Sequence, residues 1–260
     1  MFRISCSCLL AGLSLAAQTP IAPAKRTQLF NGKNLDGWYT YLRDNKHEDP
    51  KRVFRVERGE LVVTGEEWGG IGTKEAYRDY HLVAEWRWGG PAHGSRAKAA
   101  RDSGILVHGS GPDGAAGGVW LASIESQIIE GGTGDILPVA GKTRPSITAE
   151  TRVGPDGQLY WQRGGKAETR DRGRINWFGR DVNWKDTLNY RGPRDVEKPM
   201  GKWNRHEVIC AGGRVTNIIN GVVVSEGYDA KPAEGRIMIQ SEGAEIRFRK
   251  IELRPVRKGR

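Results

Sequence analysis

Along this chain, apolar residues recur every second position rather than every third or fourth. Leu82, Ala84, Trp86 and Trp88 alternate with His81, Val83, Glu85 and Arg87, which in an extended strand gives one apolar and one polar face. Between Ala122 and Glu130, Ile124, Ser126 and Ile128 fall on one face and Glu125, Gln127 and Ile129 on the other. Phe54 to Glu57, Arg58-Gly59 and Glu60 to Thr64 read as a hairpin. A second hairpin is predicted at Asn220-Gly221, between Val215 to Ile219 and Val222 to Ser225, because both turn residues tolerate positive φ. Arg236 to Gln240 and Glu245 to Leu253 read as closing strands. No segment sustains an i, i+3, i+4, i+7 apolar pattern long enough for a major helix. Gly89 to Arg101 and roughly 163 to 199 read as long loops, the second one carrying Trp177, Phe178, Trp184 and Tyr190.

The 36 glycines and 12 prolines punctuate short runs rich in Val, Ile, Trp and Tyr, an all-β pattern. Residues 1–17, with Arg3, an apolar run from Ile4 and Ser14-Leu15-Ala16, read as a cleaved secretory signal. Export to the periplasm or the cell exterior is therefore expected. The run is too short to span a bilayer as a helix, and no later stretch is apolar enough, so no integral membrane segment is expected in the mature form. Cys210 is then the only cysteine left, which excludes an internal disulfide. About 240 residues suffice for one sandwich core, and residues 27–256 are expected to form a single domain.

The net charge of +10 points first to nucleic acid. Acids interleave with the bases, however, and the expected export removes the chain from nucleic acid. Attraction to an anionic surface or glycan fits the basic loops better.

Candidate chemistry concentrates at Asp102, Ser103 and His108 and in the strand bearing Glu125, Gln127 and Glu130. On strict alternation, His108 shares the face of Leu106, so it is expected beside Glu125 and Glu85. A histidine among carboxylates suits proton transfer or metal binding, which makes His108 and Glu125 the metal candidates. Glu85 and Arg87 form a diagonal acid–base set on a polar face. Trp38, Trp86 and Trp203 are expected in the core, while Trp120, Trp177 and Trp184 are candidates for stacking on sugar rings. Glu125-x-Gln127-x-x-Glu130 is close to the E-x-D-x-x-E pattern of retaining glycosidases. Its central Asp is replaced, and its spacing puts Glu130 across the strand from Glu125 unless a bulge intervenes.

Several segments, in order, resemble one family: Leu29–Trp38 (LFNGKNLDGW), Tyr80–Gly89 (YHLVAEWRWG), Arg101–Ile105 (RDSGI), Glu125–Gly131 (ESQIIEG), Gly134-Asp135, Gly201–Asn204 (GKWN), Val215 to Gly221, Gly235–Gly243 (GRIMIQSEG) and Phe248–Ile251 (FRKI). They are similar to the 3-keto-disaccharide hydrolase domain family (domain of unknown function 1080) of the concanavalin A-like lectin/glucanase superfamily. The resemblance implies a concanavalin-like β-sandwich, or jelly roll, of two curved antiparallel sheets. It also implies a carbohydrate partner and cleavage of glycosides already oxidised at C3. A 3-keto group acidifies the C2 proton, so a base can start an elimination that expels the C1 substituent before water adds back. In this reading Glu125 and His108 transfer protons, and Glu85, Arg87 and Gln127 position the sugar or a divalent metal ion. Asp102, Ser103 and Glu130 support them, and Trp120 stacks. Many relatives end the Gln-containing strand with Q-x-H-G, whereas this chain has Gln240-Ser241-Glu242-Gly243. A non-catalytic glycan-binding module and a direct endo-glycosidase are the alternatives, and a protein that binds surfaces through its basic loops is a third.

Overall fold

The computed structural model describes residues 19–256. The expected signal at 1–17 lies outside the described residues. The chain folds into two antiparallel sheets stacked face to face, and among the described residues the only helix is a single 3-10 turn, Gly94–Arg96. The larger sheet has eleven strands. From one edge it runs β11 (Leu159–Trp161), β10 (Ser146–Val153), β15 (Val222–Lys231), β14 (Arg214–Ile219), β13 (Asn204–Ala211), β6 (Tyr80–Ala92), β17 (Ala244–Pro255), β4 (Glu60–Val63) and β3 (Phe54–Glu57). β1 (Thr27–Gln28) adds to β17 and β12 (Lys166–Arg170) to β10. The smaller sheet runs β2 (Trp38–Leu42), β5 (Gly69–Thr73), β16 (Arg236–Ser241), β7 (Asp102–Ser110), β8 (Ala122–Ile129) and β9 (Ile136–Val139). This is the concanavalin-like jelly roll expected from the sequence.

Both predicted hairpins form with the register their turns dictate. Arg58 and Gly59 take φ of 50° and 81°, and Asn220 and Gly221 take 50° and 88°, the paired positive values that a two-residue turn needs to match strand twist. The core lies between the sheets. Leu82, Ala84, Trp86 and Trp88 of β6 pack against Ile105 and Val107 of β7, Ile124 and Ile128 of β8, and Ile237 and Ile239 of β16. Each such side chain, removed from water, contributes about 1.5–3 kcal/mol. The sequence places Trp203 in this core too, but its indole lies at the outer surface of the larger sheet, with the guanidiniums of Arg87 and Arg249 over its ring at 4.9 and 4.6 Å. Trp177 is buried instead, against Ile219 and Val224.

The 163–199 segment is neither free nor structureless. After β12 it is fastened to the turn that follows β8. Trp177 Nε1 donates to Gly131 O at 3.2 Å and Trp184 Nε1 to Glu130 O at 2.8 Å. Glu197 accepts from Trp88 Nε1 at 2.7 Å and from Thr133 Oγ1 at 2.9 Å. Burial in this lining, followed by the charge of Asp195, pushes the Glu197 carboxyl up to about 8. The segment thus forms a fixed wall at one end of the smaller sheet. Among the described residues no helix is long and apolar enough to cross a membrane.

Candidate functional site

The outer face of the smaller sheet carries the chemistry. In β8 the alternation behaves as read from the sequence. Ile124 and Ile128 enter the core, and Ser126 hydrogen-bonds His206 Nε2 across it at 2.7 Å, while Glu125 faces out. On the paired strand β7, Asp102, Gly104 and Leu106 share the outer side. Gly104 leaves a hollow there. A Cβ built on it would lie 2.1 Å from Gln240 Oε1 and 2.3 Å from Glu125 Oε1, so both side chains reach over this residue from β16 and β8. Those two oxygens and Asp102 Oδ1 are buried and have no hydrogen-bond partner. Leaving such atoms unpartnered costs about 1–3 kcal/mol each.

The charges around this hollow are unevenly matched. Burial, then the negative charge of Asp102, pushes Glu125 up to about 8 against the pull of Arg174. Burial likewise raises Asp102 to about 7, opposed by Arg96 and Arg174. Glu242, just beyond β16, is held well above the usual carboxylate range by lost solvation and by Asp102 and Glu125. Three carboxyls therefore face two guanidiniums, and near neutral pH some of them keep their protons. Environments that hold neighbouring carboxyls apart in this way supply both a base and an acid.

Arg96 reaches in from the 3-10 turn, with Nη2 3.5 Å from Asp102 Oδ2, and is held from behind by both oxygens of Asp186 at 3.0 Å. Arg174 is anchored by Asp135, whose Oδ2 lies 2.7 Å from its Nη1. Asp135 is completely buried, pairs also with Arg180 and accepts the Trp177 backbone N–H at 2.7 Å. The family motif Gly134-Asp135 thus fixes Arg174 beside the acids.

Beyond Leu106 the same face turns apolar. Leu106, Leu121 and Met238 form a cluster under Tyr39 and Trp120. Trp120 stacks on Trp68 at 5.7 Å and donates its Nε1 to Gly69 O at 3.0 Å. Its ring therefore already has protein neighbours and walls the face.

Several residues expected at the site lie elsewhere. His108 does not share the face of Glu125. A bulge between Val107 and Ser110, with His108 at φ 58°, inserts an extra residue and turns the imidazole inward, fully buried and 6.4 Å from the Tyr80 ring. Burial pushes its pKa down to about 4, and both ring nitrogens lack a partner. Such a ring is in no position to serve Glu125 as a proton partner or to ligate a metal with it. Glu85 and Arg87 do lie on a polar face, but it is the outer face of the other sheet. Glu85 meets Arg249 at 2.7 Å and Lys250 at 3.1 Å, and Arg87 meets Glu60 at 3.0 Å. The whole core separates them from Glu125. Ser103 also points inward, donating to Gln240 O at 2.9 Å. Glu130, just past the end of β8, accepts from Arg101 Nη1 at 2.6 Å, the Arg101 N–H at 3.0 Å and the Asn189 N–H at 2.8 Å. It is a structural clamp here, and Gln127 spends its side-chain oxygen on the Ile128 N–H at 2.8 Å. Trp177 is buried, and Trp184 lies over Arg180 at 4.3 Å.

Sequence reasoning missed Arg96, Arg174 and Gln240 as parts of this hollow. Glu242 was legible only as the departure from Q-x-H-G. Among the described residues no three His, Cys, Asp or Glu side chains converge as a ready metal cluster. The unpartnered oxygens of Asp102, Glu125 and Gln240 around the empty Cβ position of Gly104 are nonetheless hard donors of the kind that suit a divalent cation.

Comparison with known proteins agrees with this architecture. Two crystal structures of candidate glycosyl hydrolases from Parabacteroides distasonis share the fold. One superposes with a TM-score of 0.51 at 17% identity over 88% of this chain and 93% of its own. The other gives 0.50 at 20% over 89% and 99%. No curated protein matches the chain significantly by sequence. A family profile described as the 3-keto-alpha-glucoside-1,2-lyase-like domain spans residues 25–254, nearly the whole chain and both sheets. This carbohydrate-active protein, with its paired acids and arginines on one sheet face, belongs to the 3-keto-alpha-glucoside-1,2-lyase-like family.

Proposed function

We propose that the hollow over Gly104 cleaves 3-keto-glycosides by elimination between C1 and C2. The observation that carries this reading is the Glu125 carboxylate: one oxygen unpartnered, aimed into the hollow, with a pKa near 8. A carboxylate of that basicity is well matched to a C–H made acidic by a neighbouring ketone. Glu125 takes the C2 proton, and the C–H electrons pass into C2–C3 as the C3 oxygen becomes an enediolate oxyanion. Arg174 and Arg96 supply positive charge where this oxyanion develops. As the enediolate collapses, the C1–O bond breaks. Glu242, kept protonated, gives its proton to the departing oxygen. Water then adds across the resulting C1–C2 double bond, with oxygen at C1 and a proton at C2, releasing the 3-keto-sugar. A divalent cation held by Asp102 and Gln240 would supply Lewis-acid polarisation of the ketone. No nucleophile is needed, which agrees with Glu130 being committed to Arg101. We further propose that the protein works outside the cytoplasm, after cleavage of residues 1–17.

The test compares matched native and 3-keto disaccharides in D2O, with and without EDTA. The expected result is cleavage of the keto form alone, with deuterium at C2 of the released sugar above that in an enzyme-free control. Cleavage of the native sugar without deuterium would establish direct glycosidase chemistry instead. Binding with no cleavage of either sugar would make the protein a glycan-binding module.

A further inference from the structure

The larger sheet carries a second cleft, at its β11 edge, that shares no lining residue with the hollow over Gly104. It is an open cleft of about 600 Å³, lined by Arg152 of β10, Trp161 of β11, Arg163 in the turn that follows, Phe178, Arg194 and Val223. No carboxylate lines it. Arg152 rests over the Tyr160 ring at 4.7 Å. Among the described residues none of its three guanidiniums is ion-paired, whereas nearby Arg144 and Arg172 both pair with Asp171. Arg152 acts on the Asp156 carboxylate beside Tyr160, but Arg163 and Arg194 have no ion-pair partner among the described residues, and an anion is their complementary occupant. The floor is aromatic: Trp161 and Phe178 stand 6.3 Å apart at 59°.

From guanidinium forks and aromatic side chains that line one cleft we infer a binding site for an acidic saccharide, one pyranose bearing a carboxylate or sulfate. Guanidinium groups grip either anion through parallel N–H···O bonds. The C–H face of the sugar packs against the partly exposed Phe178 and Val223. Trp161 is only 8% exposed, so its ring offers no open platform on which a nucleobase could stack. The volume falls within the range of small-ligand pockets, about 300–1,000 Å³. The protein would hold an acidic glycan on one sheet while its other sheet is free for chemistry.

The inference is independent of the proposed reaction and is tested by titration calorimetry at low and physiological salt. Probes are a trigalacturonate, a sulfated disaccharide and a neutral cello-oligosaccharide. Binding of either acidic probe, and not of the neutral one, is expected, and comparison of the two tells carboxylate from sulfate. The double variant Arg163→Ala/Arg194→Ala should weaken binding at least tenfold. The variant Arg144→Ala/Arg172→Ala, equal in charge change but outside the cleft, should alter it less than twofold, and Glu125→Gln should leave it unchanged. Equal losses in both arginine pairs would reduce the effect to net charge and overturn the site. Absence of binding by both acidic probes would overturn it as well. So would retention of single-stranded DNA or anionic vesicles, but not saccharides, through Arg163 and Arg194.

Discussion

Replacing Glu125 by Gln tests the site through stability and rate at once. In the folded protein this carboxyl holds its proton to about pH 8, while in the unfolded chain it releases it near the ordinary value of about 4.3. Between those values the folded state binds more protons than the unfolded one. The group's contribution therefore declines as pH rises, by at most about 1.4 kcal/mol per pH unit. From pH 5 to pH 8 the wild type should lose roughly 4 kcal/mol that the neutral Gln does not. For a domain of this size about 1 kcal/mol moves Tm by about 2–4 °C. Melting curves of the two proteins should thus nearly coincide at pH 5, with Glu125→Gln melting about 10 °C higher at pH 8. Turnover should behave in the opposite way. A general base contributes about 10²- to 10⁴-fold, so the stabilised variant should lose at least 100-fold in kcat/KM. The wild-type profile should climb with pH, reach half its maximum near 8 and level off only above it. Melting curves that stay parallel across this range would refute the buried, protonated carboxyl, and a variant keeping a tenth of the activity would refute its role as base.

Three further outcomes follow from the same geometry. Gly104→Ala should cost about 1–3 kcal/mol through overpacking. Because its Cβ would lie within 2.3 Å of the Glu125 and Gln240 oxygens, it should cost more than 100-fold in turnover, measured on protein that still shows wild-type near-ultraviolet dichroism. Glu130→Ala leaves the buried Arg101 charge without its partner and should destabilise by about 3–5 kcal/mol, read from urea unfolding. Folded Glu130→Ala should keep the wild-type pH–rate profile; a missing limb would make Glu130 a proton donor after all. His108 stays neutral in the fold down to about pH 4, whereas the unfolded chain gains a proton near 6.5, so stability is lost as pH falls through that interval. Asn tolerates the positive φ of this position, and His108→Asn should remove up to about 3 kcal/mol of that acid-side loss while leaving turnover at pH 8 unchanged.

What the sequence by itself determined is the local geometry. Arg58-Gly59 and Asn220-Gly221 set their hairpins because turn conformation is a property of two adjacent residues. The two-residue period of β8 sent Ile124 and Ile128 to one face and Glu125 to the other because alternation is built into an extended backbone. Periodicity cannot say which sheet a strand joins, so it puts Glu85 and Arg87 on a polar face without telling that this face lies across the core from Glu125. Nor does it announce a bulge. One extra residue before Ser110 reversed His108; its local cue is the isolated Gly109 that follows, a residue that inside a strand marks a bulge. Only the tertiary structure brought Arg96, Arg174, Gln240 and Glu242 around Gly104. These side chains come from a 3-10 turn, a long fastened segment and the far end of β16. What joins them is the burial of two large apolar faces against each other, a long-range effect that settles sheet order and register together.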